Sequence, residues 1–492
     1  MTIGFQHIPQ SLRVPLFYAE VNNSAANSAT LNQRALIIGQ KLAAGAATPN
    51  VPQIYQGDAD IKAQCGQGSI VALMAAAYRK NDAFGELWYL PLADDPAAVA
   101  ATGTITLTGA ATVNGVLSLY IGGVLVSVSV STTQTVTQIA SAIVTAIGLN
   151  PDLPITATSA LGVVTLTAAN KGIVGNELDV RLNYQGVKGG EQTPAGLVAT
   201  IVAFANGATN PVLTTGLGNL NDMPFDFIAC ATSDTTTLDA LKAFLDDNTG
   251  RWSYLQQIYG HAFTSIKGTL GTVTAVGTAR NDPHTTILPF PESPTPSYLW
   301  TAALVAQTAT SVRADPGLPL QTLPLVGILP PAIESRWDTG ERNTLLYSGL
   351  SSFNVADDGT VQLENIVTTY QKNAFGSPDD SYLEVETLFL LAYVLRDMRG
   401  VVTSKFARTK LAQDGTRFAP GANIVTPKII KSNLVARFAW LEENGYVQDS
   451  VSFEQKLIVQ INSTNPNRVD VLWPGTLINQ LRIFAVLAQF RL

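Results

Sequence analysis

The spacing of apolar positions changes several times along the chain, and each change marks a candidate element. Leu12 to Val21 (LRVPLFYAEV) reads as a strand that Pro15 confines to a sheet edge, followed by the small polar run NNSAANSA. RALIIGQ, a Gly-rich turn, a helix opening at Ser69 and ELWYLPLAD (Glu86 to Asp94) then alternate strand with helix, the grammar of an α/β unit. In that helix Ile70, Val71, Leu73, Met74, Ala77 and Tyr78 share one stripe, and Ser69 stands where an N-cap belongs. From Ala101 to Asn170 the period becomes two. GTITLTG, GVLSLYIGGVLVSVSV, PITATSALGVVTLTA and later NELDVRLNY alternate as strands around one helix, TVTQIASAIVTAI.

The α/β grammar resumes with DFIACATSD as strand and TLDALKAFLDD as helix, so the β-rich stretch from Ala101 to Gly207 interrupts one parent unit. LPFPESPTPS and LPLVGILPP predict long ordered loops or a boundary near 330. Beyond it, VETLFLLAYVLRDMRG and KIIKSNLVARFAWLEENG predict helices, and FEQKLIVQI with RVDVLW predicts a hairpin around NSTNPN. The final run, LINQLRIFAVLAQFRL, reads as a strand apolar on both faces, which a free edge in water cannot tolerate, so another chain is expected to cover it. The fold class is therefore α/β and α+β multidomain: an α/β body interrupted by an inserted β-rich domain, an α+β C-terminal domain, and extended terminal strand arms. The units are 1–30, 31–100 plus 208–330, 101–207, 331–475 and 476–492.

Composition sharpens this picture. In 492 residues, 46% are hydrophobic and only 14% charged, against about 25% charged in an average soluble protein, which points to surface covered by assembly. Asp152 is the one charged residue between Ala101 and Asn170. A net charge of -7 argues against nucleic acid as the partner of the whole chain. Val113 to Val130 is long and uncharged, but Gly122-Gly123 breaks it into a hairpin rather than a membrane span. The N-terminal MTIGFQHIPQSLRVP lacks the pattern of a secretory signal.

Candidate chemistry is sparse. Cys65 and Cys230 form no C-x-x-C, and His7, His261 and His284 stand in unrelated contexts. CGQGS (Cys65 to Ser69) lacks the further residues of a dinucleotide fingerprint or P-loop, and GLGNLND at Gly216 fails the same test. Asp379, Asp380, Glu384 and Glu386 could in principle hold a hard cation, yet match no EF-hand spacing and are accounted for by a helix start. No catalytic, cofactor-binding or metal-ligating residue is nominated. From Arg396 to Arg437 basic residues outnumber Asp397 and Asp414, with Lys428 and Lys431 on one helix face, a pattern suited to an acidic partner or to solvent.

Leu345 to Gly400 resembles the tail sheath proteins of contractile-tailed phages, in particular the Mu-like group. The group's VTTYQ stands here at Val367 to Gln371, and its SYLDVET-like helix start at Ser381 to Thr387, with Glu384 as the acidic member. MTIGFQHIPQSLRVPLFYAEV and VDVLWPGTLINQLRIFAVLAQFRL are similar to its termini, so the resemblance spans nearly the whole chain. It implies six-fold rings stacked into a helical polymer around a tail tube in the virion tail, assembled in the host cytoplasm. Contraction of that polymer would drive the tube through a cell envelope. The implied partners are further copies of the chain, the tail tube protein, and baseplate and tail terminator proteins, with no nucleic acid, no direct membrane insertion and no cofactor. It also implies arms that add strands to neighbouring subunits: Leu12, Val14, Leu16, Phe17, Tyr18 and Val21 at one end, Leu481, Ile483, Phe484, Val486, Leu487 and Phe490 at the other. Lys405, Arg408, Lys410, Lys428, Lys431 and Arg437 would then face the tube, and the β-rich insert would face outward. The sheath of a phage-derived bacteriocin or a related injection machine fits the same residues. An outer fibre or adhesin, suggested by the Thr- and Gly-rich insert, would differ in not forming a helical polymer. An α/β enzyme built around CGQGS would bind a phosphorylated ligand.

Overall fold

The computed structural model describes residues 33–491. The N-terminal strand expectation, with Leu12, Val14, Leu16, Phe17, Tyr18 and Val21, lies outside the described residues. The described chain is a mixed α/β fold with several cores. It opens with β1 (Ala35–Gln40), β2 (Gln53–Ile54), α1 (Asp58–Cys65), α2 (Ile70–Asn81) and β3 (Leu87–Leu92). Ser69 caps α2, its hydroxyl accepting the Ala72 N–H at 3.4 Å.

The chain then leaves this sheet for strands of its own: β4 (Thr102–Gly109), β5 (Gly115–Ile121), β6 (Val124–Val130), β7 (Ile155–Ala160), β8 (Val163–Ala168), β9 (Val180–Leu182) and β10 (Leu197–Ala205), with α3 (Val136–Gly148) between β6 and β7. They pair as β10-β4-β8-β7 and β6-β5-β9. Gly122 and Gly123, at φ of 57° and 83°, make the β5–β6 turn, a left-handed pair that glycine adopts without strain. Ile105, Leu117, Ile121, Ile143, Val164 and Leu166 close a core of their own, while threonines alternate with them on the outer face. Entry and exit lie side by side, since Val99 and Ala208 exchange backbone hydrogen bonds.

On return, α4 (Thr214–Gly218), β11 (Phe227–Cys230), α5 (Thr235–Leu245), β12 (His261–Lys267), α6 (Leu270–Thr278), β13 (Thr285–Phe290) and α7 (Ser297–Ala314) complete a sheet of order β13-β12-β11-β1-β3-β2. Its strands are parallel except for the short edge strand β2. A parallel sheet needs both faces covered, which accounts for the unbroken apolar runs. Ala35 and Ile37 face α2 and α7, whereas Leu36 and Ile38 face α4 and α5. Leu288-Pro289-Phe290, expected as loop, is the end of edge strand β13, where a residue without an N–H is tolerated. Helix α7, unforeseen in the sequence, is buried nearly all round, with Trp300 stacked on Phe290 at 4.5 Å.

The last third contains α8 (Thr339–Tyr347), the hairpin β14 (Ser352–Val355) and β15 (Val361–Asn365), α9 (Val385–Phe406), β16 (Lys410–Leu411), β17 (Ile424–Val425), α10 (Pro427–Glu443), β18 (Val447–Gln448), α11 (Ser450–Lys456), β19 (Ile458–Ile461), β20 (Val469–Leu472) and β21 (Thr476–Leu477). The cores divide differently from the expected boundary near 330. Phe353, Leu363, Ile366, Val385 and Phe389 belong to the body core, and Phe389 lies 5.0 Å from Phe227. A separate core begins midway along α9 and joins Val394, Leu434, Phe438, Leu441 and Phe453. FEQK, expected as strand, is the end of α11: Asp449 caps that helix and Phe453 stacks on Phe438 at 3.8 Å. The expected hairpin is confined to β19 and β20.

Candidate interaction site: the C-terminal segment and its anchor

Strand β21 pairs with β18, and the Ile478 N–H donates to the Tyr446 carbonyl at 3.2 Å. From Ile478 to Arg491 the chain then belongs to no strand or helix. Among the described residues the expected C-terminal strand has no ladder partner, and Leu481, Ile483, Phe484, Val486, Leu487 and Phe490 stand 69–86% exposed. A run of large apolar side chains this open marks an interaction surface. The β19–β20 hairpin, two strands without a further ladder partner among the described residues, also exposes Ile458, Val471 and Leu472.

The segment is fixed at its root by a residue the sequence reading did not single out. Arg482 Nη2 lies 2.9 Å from Glu384 Oε2 and 2.7 Å from Glu386 Oε2. Glu384 is the N-cap residue of α9 and Glu386 sits in its first turn, where the helix dipole favours carboxylates. Glu386 is wholly buried, and its Oε1 accepts the Leu320 N–H at 2.6 Å. Burial pushes the Glu384 carboxyl above its ordinary range; Arg482 pulls it back and the Glu386 charge adds to the rise. The acidic group weighed as a cation site is therefore divided. Glu384 and Glu386 hold Arg482, while Asp379 accepts from the Tyr370 hydroxyl and the Ser381 N–H. The available signal was an isolated arginine inside an apolar run, which needs a partner when the run packs.

The basic residues fall into two sets. Lys405, Arg408, Lys410 and Lys428 are exposed and make no ion pair among the described residues, Lys405 donating to Asn433 at 2.9 Å. Lys428 lines an open groove of about 400 Å³ with Asp414, Phe418 and Asn433. Lys431 and Arg437 turn inward. Lys431 donates to the Leu457 carbonyl at 2.8 Å, and Arg437 forms a two-point pair with Asp397 while lying 3.7 Å over the Trp440 ring.

The other candidates have packing roles. A Cβ on Gly68 would meet the Leu153 carbonyl at 2.7 Å, so CGQGS is a turn seated against the β-rich insert. Burial raises the Cys65 thiol to about 12 and the Cys230 thiol to about 11. His261, held well below its ordinary range by burial, bonds Thr286 at 2.9 Å. His284 bonds Asp247 at 2.8 Å and stacks on Trp252 at 4.4 Å. No helix among the described residues is long and apolar enough to cross a membrane.

Residues 206–369 match the family model for the phage tail sheath protein central domain, and residues 377–491 match that for the phage tail sheath C-terminal domain. Over 492 residues the chain is 41% identical to the Mu-like prophage FluMu tail sheath protein of Haemophilus influenzae, covering 100% of both. Among solved structures it is similar to a sheath tail protein from Desulfitobacterium hafniense (13% identity, 95% of this chain and 97% of that one, TM-score 0.49). A sheath tail protein from Listeria innocua is also similar (12% identity, 92% of this chain and 94% of that one, TM-score 0.48).

Proposed function

We propose, from the premise that this chain belongs to the phage tail sheath proteins, that it is the repeating subunit of a contractile sheath, stacked in six-fold rings around a tail tube. The observation that carries the reading is the open apolar segment beyond Arg482. In the polymer this segment becomes a strand added to a neighbour. The β19–β20 hairpin is the edge that receives it, since it exposes Ile458, Val471 and Leu472 and its outer edges lack ladder partners among the described residues. Each backbone hydrogen bond so formed contributes about 1 kcal/mol net, so several per arm hold rings together while the bodies move.

Contraction then needs no nucleotide chemistry. Subunits assembled in a less buried arrangement release free energy when they reach a more buried one, and the low charge content of the chain suits that end state. Lys405, Arg408, Lys410 and Lys428 face the tube in the extended state, an exposed and salt-screened contact that can let go. Lys431 and Arg437, already engaged within the chain, serve the fold rather than the tube. The β-rich insert faces outward.

Electron microscopy of the full chain beside a variant lacking residues 483–492 tests this. Striated tubes or stacked rings are expected from the full chain and only dispersed subunits from the truncation. Tubes from both would remove the arm from the mechanism, and no ordered polymer from the full chain, even with a tube protein present, would overturn the reading itself.

A further inference from the structure

Both faces of the C-terminal segment are apolar from Ile483 to Ala488. Phe484, Val486 and Phe490 would share one side of a strand, and Ile483, Ala485 and Leu487 the other. Sheet register is ordinarily set by burying one apolar face and exposing a polar one, and a slip of one residue exchanges the two. This segment carries little such contrast, with Gln489 and Arg491 near its end the polar residues of the second side, so its own pattern sets the register only weakly.

The contrast is supplied at its root. Beyond Arg482, residues 483–491 make no hydrogen bond or ion pair among the described residues, whereas Arg482 is held by Glu384 and Glu386, with its neighbour Leu481 accepting from Gln321 at 3.4 Å. Both contacts are made by Nη2, and the two carboxylate partners are themselves positioned at the start of α9. Sliding the chain by one residue would set Leu481 or Ile483 against the two carboxylates and leave the wholly buried Glu386 charge with the Leu320 N–H but no cation, which disfavours such a slip.

We infer that Arg482, clamped by Glu384 and Glu386, is the positioning residue that fixes the register in which the C-terminal arm meets its neighbour. This rests on the reading of the arm as a linking strand. From the clamp, residues 483–491 reach about 30 Å when extended, enough to cross a neighbouring two-stranded edge, and the face order is settled before contact.

Two single-alanine insertions separate anchor from arm. One between Asn479 and Gln480 lies upstream of the clamp in a segment without strand or helix, and leaves every arm residue at its distance from Arg482. One between Ile483 and Arg482 shifts the whole arm and exchanges its faces. In sedimentation of assembled full-length chain, the upstream insertion is expected to stay within about twofold of the parent and the downstream one to fall at least about tenfold. A two-alanine insertion downstream, which restores the face order, is expected to recover part of that loss. Arg482→Met, which removes the cation but keeps an unbranched stem, is expected to fall between the two single insertions. Equal assembly of the two single insertions, with residues 483–492 still required, would overturn the anchor and leave the linking strand standing. Undiminished assembly without residues 483–492 would overturn the linking strand and the anchor with it.

Discussion

The β-rich insert and the C-terminal arm are both poor in charge and rich in apolar side chains, yet one is closed and the other open. In the insert, threonine alternates with Ile105, Leu107, Val164 and Leu166, so each strand has one face for a core and one for water. The chain supplies the facing sheet and the covering helix itself. In the arm, apolar residues occupy successive positions, so any one cover leaves a second face bare, and no ladder among the described residues reaches it. Low charge content is therefore two signals. Alternation separates a domain that completes itself from a segment left uncovered among the described residues.

That comparison breaks most visibly in the cores. Ile143→Ala and Leu166→Ala, both at wholly buried positions, are expected to lower the stability of the insert by about 2–5 kcal/mol through lost burial and a residual cavity. Leu487→Ala, at an 86% exposed position, is expected to leave the isolated subunit within about 0.5 kcal/mol of the parent while reducing its assembly. Urea unfolding of dispersed subunits and sedimentation of assembled ones measure the two effects. A stability loss at Leu487 matching that at Leu166 would mean that the arm folds onto its own subunit.

A smaller effect is expected where the insert joins the body. Glu177 lies in a short turn of the insert, and burial against α7 raises its carboxyl from 4.5 to about 7 despite a hydrogen bond from Ser297 and the Lys267 charge. Between those values the folded state holds a proton that the unfolded chain has released. Stability therefore falls as pH rises from 4.5 to about 7, by at most roughly 3 kcal/mol, and the loss is complete above that window. Glu177→Gln should flatten this dependence. Urea midpoints at pH 5 and pH 7.5 test it, and an unchanged pH dependence in the variant would show that the joint tolerates the carboxylate charge.

The sequence was most legible where one physical rule acted alone. Ser69 announced the start of α2, Gly122-Gly123 the turn between β5 and β6, and the period-two threonines the strands of the insert. It was least legible where tertiary context replaced pattern. Helix α7 has no polar stripe because sheet and neighbouring helices cover it, and FEQK is helical because Asp449 caps it and Phe453 finds Phe438. Of the candidate site, the openness of Ile483 to Phe490 follows from composition. The anchor does not, because Glu384 and Arg482 are far apart in sequence and meet only once α9 has docked. The same limit applies to the basic run, in which an engaged arginine and a free lysine look alike.

The smallest effect on the subunit is expected at those free lysines. Arg437→Ala removes the partner of Asp397 and the cover of Trp440, a partly buried pair whose loss costs about 1 kcal/mol. Lys410→Glu combined with Lys428→Glu touches no ion pair among the described residues and should leave subunit stability within about 0.5 kcal/mol. If these lysines face the tube, the double reversal should nonetheless suppress co-assembly with the tube protein at low salt, and the difference from the parent should shrink as salt rises and the contact is screened. Arg437→Ala should change stability more and salt dependence less. Co-sedimentation with the tube protein across a salt series separates the two variants. Undiminished co-assembly of the double reversal at low salt would remove the lysines from the tube contact and leave the C-terminal arm as the route by which a subunit is held in the polymer.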